Sequence, residues 1–244
     1  MKFFIAAPFG NYLKFRDKKN IIPVTGTWTL QNRANIIKTI YKILTTLRYD
    51  FKNNGWINKL GLPNPGINKG LKSIKRNEIL SIAAIKRQDW SELYNIIGND
   101  FNVEINLSCP NLDEKSNIFT SSDLKFFTLN KSNSKKWCIA KISPLTTLDE
   151  LKYLIDELGF NQIHCCNTLP VSNGGLSGKI LKPYVEKLIK LIRKNWGDKI
   201  EIIAGGGVNC RYDVKNYINL GANHISLGTV SFKPWKIDRI VYDE

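Results

Sequence analysis

Several short apolar segments of this chain are followed at once by glycine, or by residues that bear a thiol, an amine or an amide. These residues are Gly10, Gly26, Asn106, Cys109, Asn111, Lys141, Asn167, Thr168, Gly206, Gly207, Gly228 and Thr229. If the segments are parallel strands of one barrel, their carboxyl ends meet at the face where such barrels bind ligands. A thiol can take a proton, and an ammonium group can hold an anion. The clustering therefore predicts a ligand site.

Cys109 and Lys141 are the two candidates for catalysis. Cys109 follows an apolar segment and precedes Pro110, so its thiol is either a general base or an inert buried cysteine. Lys141 ends another apolar segment, and because a buried lysine usually has an anionic partner, a functional role is favoured. Asn106 and Asn111 flank the thiol. Their amides both donate and accept hydrogen bonds, which suits a ring with alternating carbonyl and N–H groups.

Glycines follow the last two apolar segments, at residues 205–207 and at Gly228, which precedes Thr229. Glycine lets a phosphate approach the backbone closely, and this end of a barrel is a common phosphate site. An ordinary strand-to-helix turn is the alternative. Since both segments end in this way, we predict a phosphate site. Residues 174–178 (GGLSG) form a further glycine-rich segment, predicted to be flexible and to act as a lid or as a backbone platform.

The apolar segments indicate a (β/α)8 barrel. They lie at residues 3–7, 21–25, 79–84, 103–107, 137–142, 162–166, 200–204 and 224–227, and they are continuous rather than alternating, as in parallel strands. Helical periodicity is found at residues 90–97, 148–158, 183–194 and 212–220. A doubly wound sheet remains open. Residues 36–47 fit less well, as a helix or a strand pair, and residues 123–129 suggest a short helix. Nothing divides the chain, which predicts a single domain over residues 1–244.

Composition narrows the function classes. The 244 residues include 36 Lys+Arg and 21 Asp+Glu, a formal net charge of +15, which favours anionic partners. Lys and Asn are abundant along the whole chain, so a general compositional bias is the preferred explanation and a nucleic-acid partner is not expected. No uncharged apolar run reaches the length of a membrane span. We interpret the N-terminal apolar stretch as a buried strand rather than a signal peptide.

The five cysteines indicate a reduced, cytoplasmic environment, because they are odd in number and show no CxxC spacing. His164, Cys165 and Cys166 are adjacent, but neighbouring residues of a strand point to opposite faces. No metal site is therefore predicted. His224 is expected to be a hydrogen-bonded barrel residue.

Taken in order, the motifs resemble those of dihydroorotate dehydrogenases. They are residues 7–11 (APFGN), 58–64 (NKLGLPN), 106–111 (NLSCPN), Lys141, Asn167 with Thr168, 174–178 (GGLSG), 203–207 (IAGGG) and 227–229 (LGT). The resemblance spans nearly the whole chain. The cysteine within NLSCPN resembles that of the soluble class 1 enzymes of this family.

The resemblance implies an FMN-dependent oxidation of dihydroorotate to orotate in pyrimidine biosynthesis. Cys109 would abstract the C5 proton, and Lys141 would lie beside the flavin. The implied substrate-binding residues are Asn58, Gly61, Leu62, Asn106, Asn111, Asn167 and Thr168. The implied cofactor-binding residues are Ala7, Gly10, Lys141, Ser177, Gly178, Gly206, Gly207, Gly228 and Thr229. By analogy, the partners would be a pyrimidine substrate and either a second copy of the chain or an electron-transfer subunit.

The chain departs from the family pattern at Gly26, where the family has a lysine that contacts flavin and substrate. Lys59 is a candidate to replace that cation. Two alternatives stay open: a tRNA dihydrouridine synthase or another pyrimidine-reducing flavin barrel, and a flavin-binding relative without catalysis.

Overall fold

A computed structural model describes residues 1–13, 20–107, 122–129 and 136–242 of the chain. Within these ranges the strands are β1 (Phe3–Ile5), β2 (Ile21–Trp28), β3 (Arg48–Asp50), β4 (Gly55–Asn58), β5 (Ile79–Ile82), β6 (Val103–Asn106), β7 (Cys138–Lys141), β8 (Gln162–Cys165), β9 (Leu169–Val171), β10 (Gly174–Gly178), β11 (Glu201–Gly205) and β12 (His224–Leu227). Eight of them are parallel and close into a barrel in the order β1–β2–β5–β6–β7–β8–β11–β12. The predicted (β/α)8 barrel is confirmed, and each predicted strand segment overlaps one of these eight.

Helices connect the barrel strands. In the described ranges they are α1 (Ile36–Thr46), α2 (Ile67–Ser73), α3 (Asp89–Ile97), α4 (Lys125–Leu129), α5 (Leu148–Lys152), α6 (Lys182–Trp196), α7 (Arg211–Asn219) and α8 (Trp235–Tyr242). A π-helical segment, Tyr153–Glu157, continues α5. The four predicted helices are confirmed, as is the short helix near residues 123–129. Residues 36–47 fold as helix α1, and the strand pair β3–β4 follows it.

Local sequence signals explain several helix ends. Thr147 caps α5: its side chain accepts a hydrogen bond from the Glu150 N–H, and the Glu150 carboxylate accepts one from the Thr147 N–H, which satisfies two N–H groups that a helix start leaves open. Pro183 lies in the first turn of α6, where its missing N–H costs nothing. Gly221, just after α7, has a φ of +106°, which favours glycine.

Side chains of the barrel strands alternate between the barrel interior and the surrounding helices, as strand geometry requires. Phe4, Val24, Ile79, Ile139 and Ile203 pack together with Trp137 inside the barrel, while their chain neighbours join the larger cluster shared with the helices. Two residues further along the same strands the inward positions become polar, at Ser81 after Ile79 and at Lys141 after Ile139. The interior is therefore apolar at its amino-terminal end and polar towards the carboxyl ends of the strands.

A second sheet has antiparallel strands in the order β3–β4–β10–β9, and its residues Asn58 and Ser177 border the same space as Lys141 and Gly205 at the carboxyl ends of the barrel strands. It joins two connections distant in sequence, since Asn58 of β4 is opposite Gly175 of β10. Gly174 has a φ of +128°, and a Cβ there would lie 2.1 Å from the Asn58 carbonyl oxygen. Glycine is needed for this close approach. The prediction that residues 174–178 are a flexible segment is therefore wrong: they form a strand paired on both edges.

Candidate active site

A cavity of about 330 Å³ opens at the carboxyl end of the barrel, within the range of small-molecule sites. Most of the predicted site residues that the structure describes line it: Ala7, Asn58, Lys141, Asn167, Thr168, Ser177, Gly206, Gly207, Gly228 and Thr229. The barrel strands and the second sheet therefore contribute to one common site. Cys109 and Asn111 lie outside the described residues.

Five predicted residues are not in the cavity wall: Gly10, Gly61, Leu62, Asn106 and Gly178. Gly10 and Gly178 allow backbones to pack, because a Cβ at Gly10 would lie 2.2 Å from the Val24 carbonyl oxygen and one at Gly178 would lie 2.8 Å from the Gly55 Cα. The carbonyl group of Gly61 accepts a hydrogen bond from Arg33, and that of Leu62 accepts one from Asn64.

Asn106 does not line the cavity itself but contacts Asn167, which does. Its carbonyl oxygen Oδ1 accepts a hydrogen bond of 2.9 Å from the Asn167 amide nitrogen. The Asn167 oxygen accepts a further bond of 2.9 Å from the Thr168 N–H. Asn106 at the end of β6 and Asn167 in the segment after β8 therefore hold each other's amide groups in a fixed orientation.

Lys141 and Glu104 form a buried ion pair at the floor of the cavity. The Lys141 Nζ lies 3.8 Å from the Glu104 Oε1, and the two residues are 6% and 1% exposed. Burial alone raises the pKa of a carboxyl group, but the Lys141 and His164 charges and the hydrogen bonds from His164 and Ser81 outweigh burial and hold the pKa of Glu104 at about 2. The anionic partner expected for Lys141 is therefore Glu104.

His164 is the second base beside Glu104. Its Nδ1 lies 2.7 Å from the Glu104 Oε2, and the ring also lines the cavity. Burial lowers the pKa of His164, and the charge of Lys141 adds to this, although Glu104 opposes it. His164 is therefore neutral near pH 7, and its Nδ1–H donates to the carboxylate. The sequence suggests only a metal-ligand role for His164, and its contact with Glu104 is a finding of the structure.

Glu104 was missed by the sequence reasoning, although a signal was present. It lies two residues before Asn106 within one strand, so both face the barrel interior. A carboxylate in an otherwise apolar strand needs a charged partner. The sequence does not predict which residues partner Glu104, because that depends on which strands are neighbours. In the structure, Lys141 is opposite His164 in the register of β7 and β8.

The turns after β11 and β12 form a second part of the wall. Gly206 and Gly207 have φ values of +128° and +74°, and the Tyr217 hydroxyl holds the Gly206 carbonyl oxygen at 2.6 Å. Gly228 differs, because its φ of −103° is negative and a Cβ there would meet only the Ala6 Cβ, at 3.9 Å. Its lack of a side chain leaves room beside the backbone in the cavity. Bare backbone beside a hydroxyl group, here that of Thr229 in the same wall, is chemistry that suits a phosphate group.

Aromatic rings form the outer wall of the cavity. The ring centroids of Phe9 and Phe232 are 4.9 Å apart at an angle of 87°, and those of Trp56 and Phe232 are 4.9 Å apart at 36°. Ile43 at the end of α1 and Leu47 after it extend this apolar surface. Such a wall suits a flat ring system, because aromatic faces pack well on each other.

The described thiols do not supply a base. Cys166 lines the cavity, but burial raises its pKa and the positive charge of Lys141 only partly opposes this. Burial likewise raises the pKa of Cys165. Among the described residues, no group of His, Cys, Asp or Glu could hold a metal ion. In the same ranges, no helix combines the length and apolar character that crossing a membrane demands. His224 is hydrogen-bonded to Glu201, as expected.

Gly26 has a structural reason to be glycine. Its φ is +103°, and a Cβ would lie 2.5 Å from the Ser81 carbonyl oxygen. The Asn11 side chain holds the backbone here, with its Oδ1 accepting from the Gly26 N–H at 2.9 Å. Lys59, the candidate replacement cation, is exposed and is not in the cavity wall. Among the cavity-lining residues that the structure describes, Lys141 is the one lysine or arginine.

Comparison with known proteins decides the family. The family model for dihydroorotate dehydrogenase matches residues 46–244. The chain belongs to the dihydroorotate dehydrogenase family. The catalytic subunit of dihydroorotate dehydrogenase B (NAD(+)) from Staphylococcus carnosus is 30% identical over 219 residues, which cover 79% of this chain and 71% of that protein. The protein of the same name from Thermotoga petrophila is 27% identical over 248 residues, covering 93% of this chain and 88% of that protein.

Solved structures share the fold of this dihydroorotate dehydrogenase family member. The ligand-free DHODH of Eimeria tenella matches with a TM-score of 0.71 and 20% sequence identity, covering 89% of this chain and 75% of that one. At this identity the likeness concerns the fold. The resemblance predicted from the motifs is confirmed by the family match, and with it the assignment to a family of flavin-dependent oxidoreductases.

Proposed function

We propose that the chain oxidises dihydroorotate to orotate in pyrimidine biosynthesis, with FMN as its cofactor. The observation that carries the proposal is the convergence of a buried lysine, an Asn–Thr pair and two glycine turns on one cavity. Membership of the dihydroorotate dehydrogenase family supports the reaction class. The two alternatives, a dihydrouridine synthase and a flavin-binding protein without catalysis, have no specific observation in their favour.

The cofactor-binding residues would divide between the two ends of FMN. Gly206, Gly207, Gly228 and Thr229 would hold the phosphate, since they line the cavity where a side chain at Gly228 would intrude. Ala7 and Ser177 would border the remainder of the cofactor, and the aromatic wall suits its ring system. When bound, FMN supplies a hydride acceptor for C6 of the substrate.

The asparagines would bind the pyrimidine ring and its carboxylate. Asn58 enters the cavity from β4 and Asn167 from the segment after β8, so the ring would be held from two sides. Asn106 would act with Asn167, to which it is hydrogen-bonded. Asn111 and Thr168 complete the set implied by the motifs. Amides match the alternating carbonyl and N–H groups of the ring.

Cys109 would be the general base that removes the C5 proton of dihydroorotate. The substrate then loses one proton to the thiolate and one hydride from C6, which gives the C5–C6 double bond of orotate. Lys141 would place a fixed positive charge at the cavity wall, where it stabilises negative charge that develops during transfer. Proton transfer by a positioned base contributes about 10²–10⁴-fold to the rate.

The test is an anaerobic titration of the purified protein. The flavin absorption band should bleach when dihydroorotate is added. Cys109→Ala should keep FMN bound but slow bleaching by about 10²–10⁴-fold, while Cys210→Ala, which removes an exposed thiol, should bleach at the normal rate. A yellow protein that dihydroorotate does not bleach would contradict the proposal and favour the two alternatives.

A second acceptor must reoxidise the cofactor. Fumarate and an electron-transfer partner subunit are the two candidates, and the similar bacterial proteins are named as NAD(+)-dependent catalytic subunits. Reoxidation of the bleached protein by fumarate alone would favour the first. We also propose a cytoplasmic location, because Cys165, Cys166 and Cys210 are free thiols.

A further inference from the structure

A chain of hydrogen bonds leads from the barrel floor to the asparagines of the cavity. The Ser81 hydroxyl is 2.9 Å from the Glu104 Oε1 and 3.0 Å from the Thr27 hydroxyl. The Asn106 amide nitrogen is 3.2 Å from the same Thr27 oxygen. The Asn106 carbonyl oxygen receives the amide N–H of Asn167. Four strand ends or connections are thereby linked to a single carboxylate.

The two ends of this chain decide the direction of every bond within it. An ionised carboxylate can only accept, and a backbone N–H can only donate. Glu104 stands at one end, and at the other the Thr168 N–H donates to the Asn167 oxygen. Every group between them both donates and accepts. The hydrogens must therefore all run from the asparagines towards Glu104.

Working from Glu104 outwards gives each orientation. Ser81 must donate its single hydrogen to Glu104, so its oxygen accepts from the Thr27 hydroxyl. Thr27 has then used its hydrogen, and its oxygen accepts from the NH₂ group of Asn106. That choice turns the Asn106 carbonyl oxygen towards Asn167. A single arrangement satisfies all these groups.

Glu104 is suited to be a permanent acceptor. It is 1% exposed, and Lys141 and His164 lie against its two oxygens at 3.8 Å and 2.7 Å. The neighbouring positive charge keeps it ionised, while the packed surroundings keep water from competing for its lone pairs. The Glu104 carboxylate therefore stays unprotonated and acts only as a hydrogen-bond acceptor.

We propose that Glu104 is a positioning residue whose negative charge sets the direction of this hydrogen-bond chain, and thereby the orientation of the Asn106 and Asn167 amides. The Asn167 amide lines the cavity and is held by Asn106, so its orientation decides whether a bound pyrimidine meets a donor or an acceptor there. Together with the Thr168 N–H at the other end, Glu104 therefore supports ring selectivity without touching the ring. The inference rests on the proposed function, because it concerns the pyrimidine that this site would bind.

Two variants distinguish the effect of the Glu104 charge from the effect of the hydrogen-bond chain itself. Glu104→Gln keeps the shape of the side chain. It replaces the carboxylate, which can only accept hydrogen bonds, by an amide, which can also donate them. Ser81→Ala removes the hydroxyl that links Glu104 to Thr27. It leaves the contacts of Glu104 with Lys141 and His164 in place. Glu201→Gln is the matched control, because Glu201 also pairs with a histidine, His224, at 2.6 Å, but at the amino-terminal end of the barrel strands.

The measurement is the binding of orotate and of its 4-amino analogue to the FMN-loaded protein, followed by the change in the flavin spectrum. In the analogue an amino donor replaces a carbonyl acceptor. Ser81→Ala and Glu104→Gln should each weaken orotate binding by about tenfold and narrow the preference for orotate over the analogue. Glu201→Gln should change neither quantity. In turnover, Ser81→Ala should raise KM more than it lowers kcat.

Equal weakening for both ligands, with the preference unchanged, would overturn the inference, because it would show a structural role only. Wild-type binding by both variants would overturn it too. If Glu104→Gln fails to fold, Ser81→Ala decides alone. Failure of the wild-type protein itself to bind FMN or orotate would instead refute the proposed function.

Discussion

The Lys141 ammonium group lies 3.8 Å from the Glu104 carboxylate inside the barrel, and this pair replaces the apolar filling found nearer the amino-terminal end. Two opposite charges buried together are costly to separate, because the charge that remains has neither water nor partner. The pair therefore links the stability of the barrel to the charge of the site. It also means that the positive charge of Lys141 borders the cavity with a carboxylate already beside it.

Lys141→Met should destabilise the protein by about 3–5 kcal/mol, because it leaves Glu104 buried without a counter-charge. Adding Glu104→Gln to the same protein should recover a large part of that loss, since the orphaned charge is gone. Urea unfolding of the single and double variants measures both effects. A single variant within about 1 kcal/mol of the wild type would contradict the assignment of an ion pair.

Gly228→Ala should cost less stability than Gly207→Ala, because the φ of Gly228 is negative and a Cβ there has room. The affinity of this variant for FMN should fall by about tenfold, because the added methyl group occupies the space proposed for the phosphate. Fluorescence titration of the FMN-free protein gives the affinity.

Gly207→Ala is the contrasting control for this measurement. Its φ is +74°, and a Cβ would lie 2.7 Å from the Lys182 Cγ, so stability itself should fall by about 1–3 kcal/mol. Unchanged FMN affinity in a well-folded Gly228→Ala protein would place the phosphate elsewhere.

Gly26→Lys should not restore the family's lysine. The φ of +103° and the 2.5 Å approach of a Cβ to the Ser81 carbonyl oxygen should destabilise the barrel by about 1–3 kcal/mol or more. Gly98→Lys is the control, because Gly98 also has a positive φ but nothing within 4 Å of its Cβ, so it should lose less. Thermal unfolding of both proteins compares them. A Gly26→Lys protein as stable as Gly98→Lys would show that the backbone adapts.

Acid should destabilise the protein through His164. The pKa of His164 is lower in the folded protein than its ordinary value of 6.5, so the unfolded chain takes up this proton first as the pH falls. The stability that the neutral imidazole contributes is therefore complete above pH 6.5 and declines below it. Glu104 adds a further loss below its ordinary pKa of 4.5.

His164→Gln should flatten the upper part of this decline. The free energy of unfolding, measured in urea at about pH 7.5 and about pH 5.5, should differ less between the two conditions in the variant than in the wild type. An identical difference in the two proteins would show that other groups cause the acid sensitivity.

The barrel strands could be predicted from the sequence because each is a continuous apolar run, and a strand buried on both faces requires one. The second sheet could not. Residues 48–50 and 174–178 are short, glycine-rich or exposed, and they become strands only through pairing with a distant segment. The sequence pattern around GGLSG therefore indicated a loop.

The candidate site divides in the same way. Strand ends bring Lys141, Asn167 and Gly228 to one face by the geometry of the barrel, so their meeting could be predicted. The ion pair with Glu104 depends on neighbouring strands and their register, which periodicity does not give. Ser81 and His164 carried no motif at all, and only the closed barrel brings them to Glu104.

The pairing of β4 with β10 sets when the site can exist during synthesis. The Asn58 amide nitrogen donates to the Gly175 carbonyl oxygen across 117 positions of the chain, and β12 must still follow to close the barrel. A ribosome-bound chain that ends before residue 224 therefore lacks β12, and with it the barrel closure and the part of the cavity wall formed by Gly228 and Thr229. The complete cavity wall can therefore form only after β12 has been synthesised.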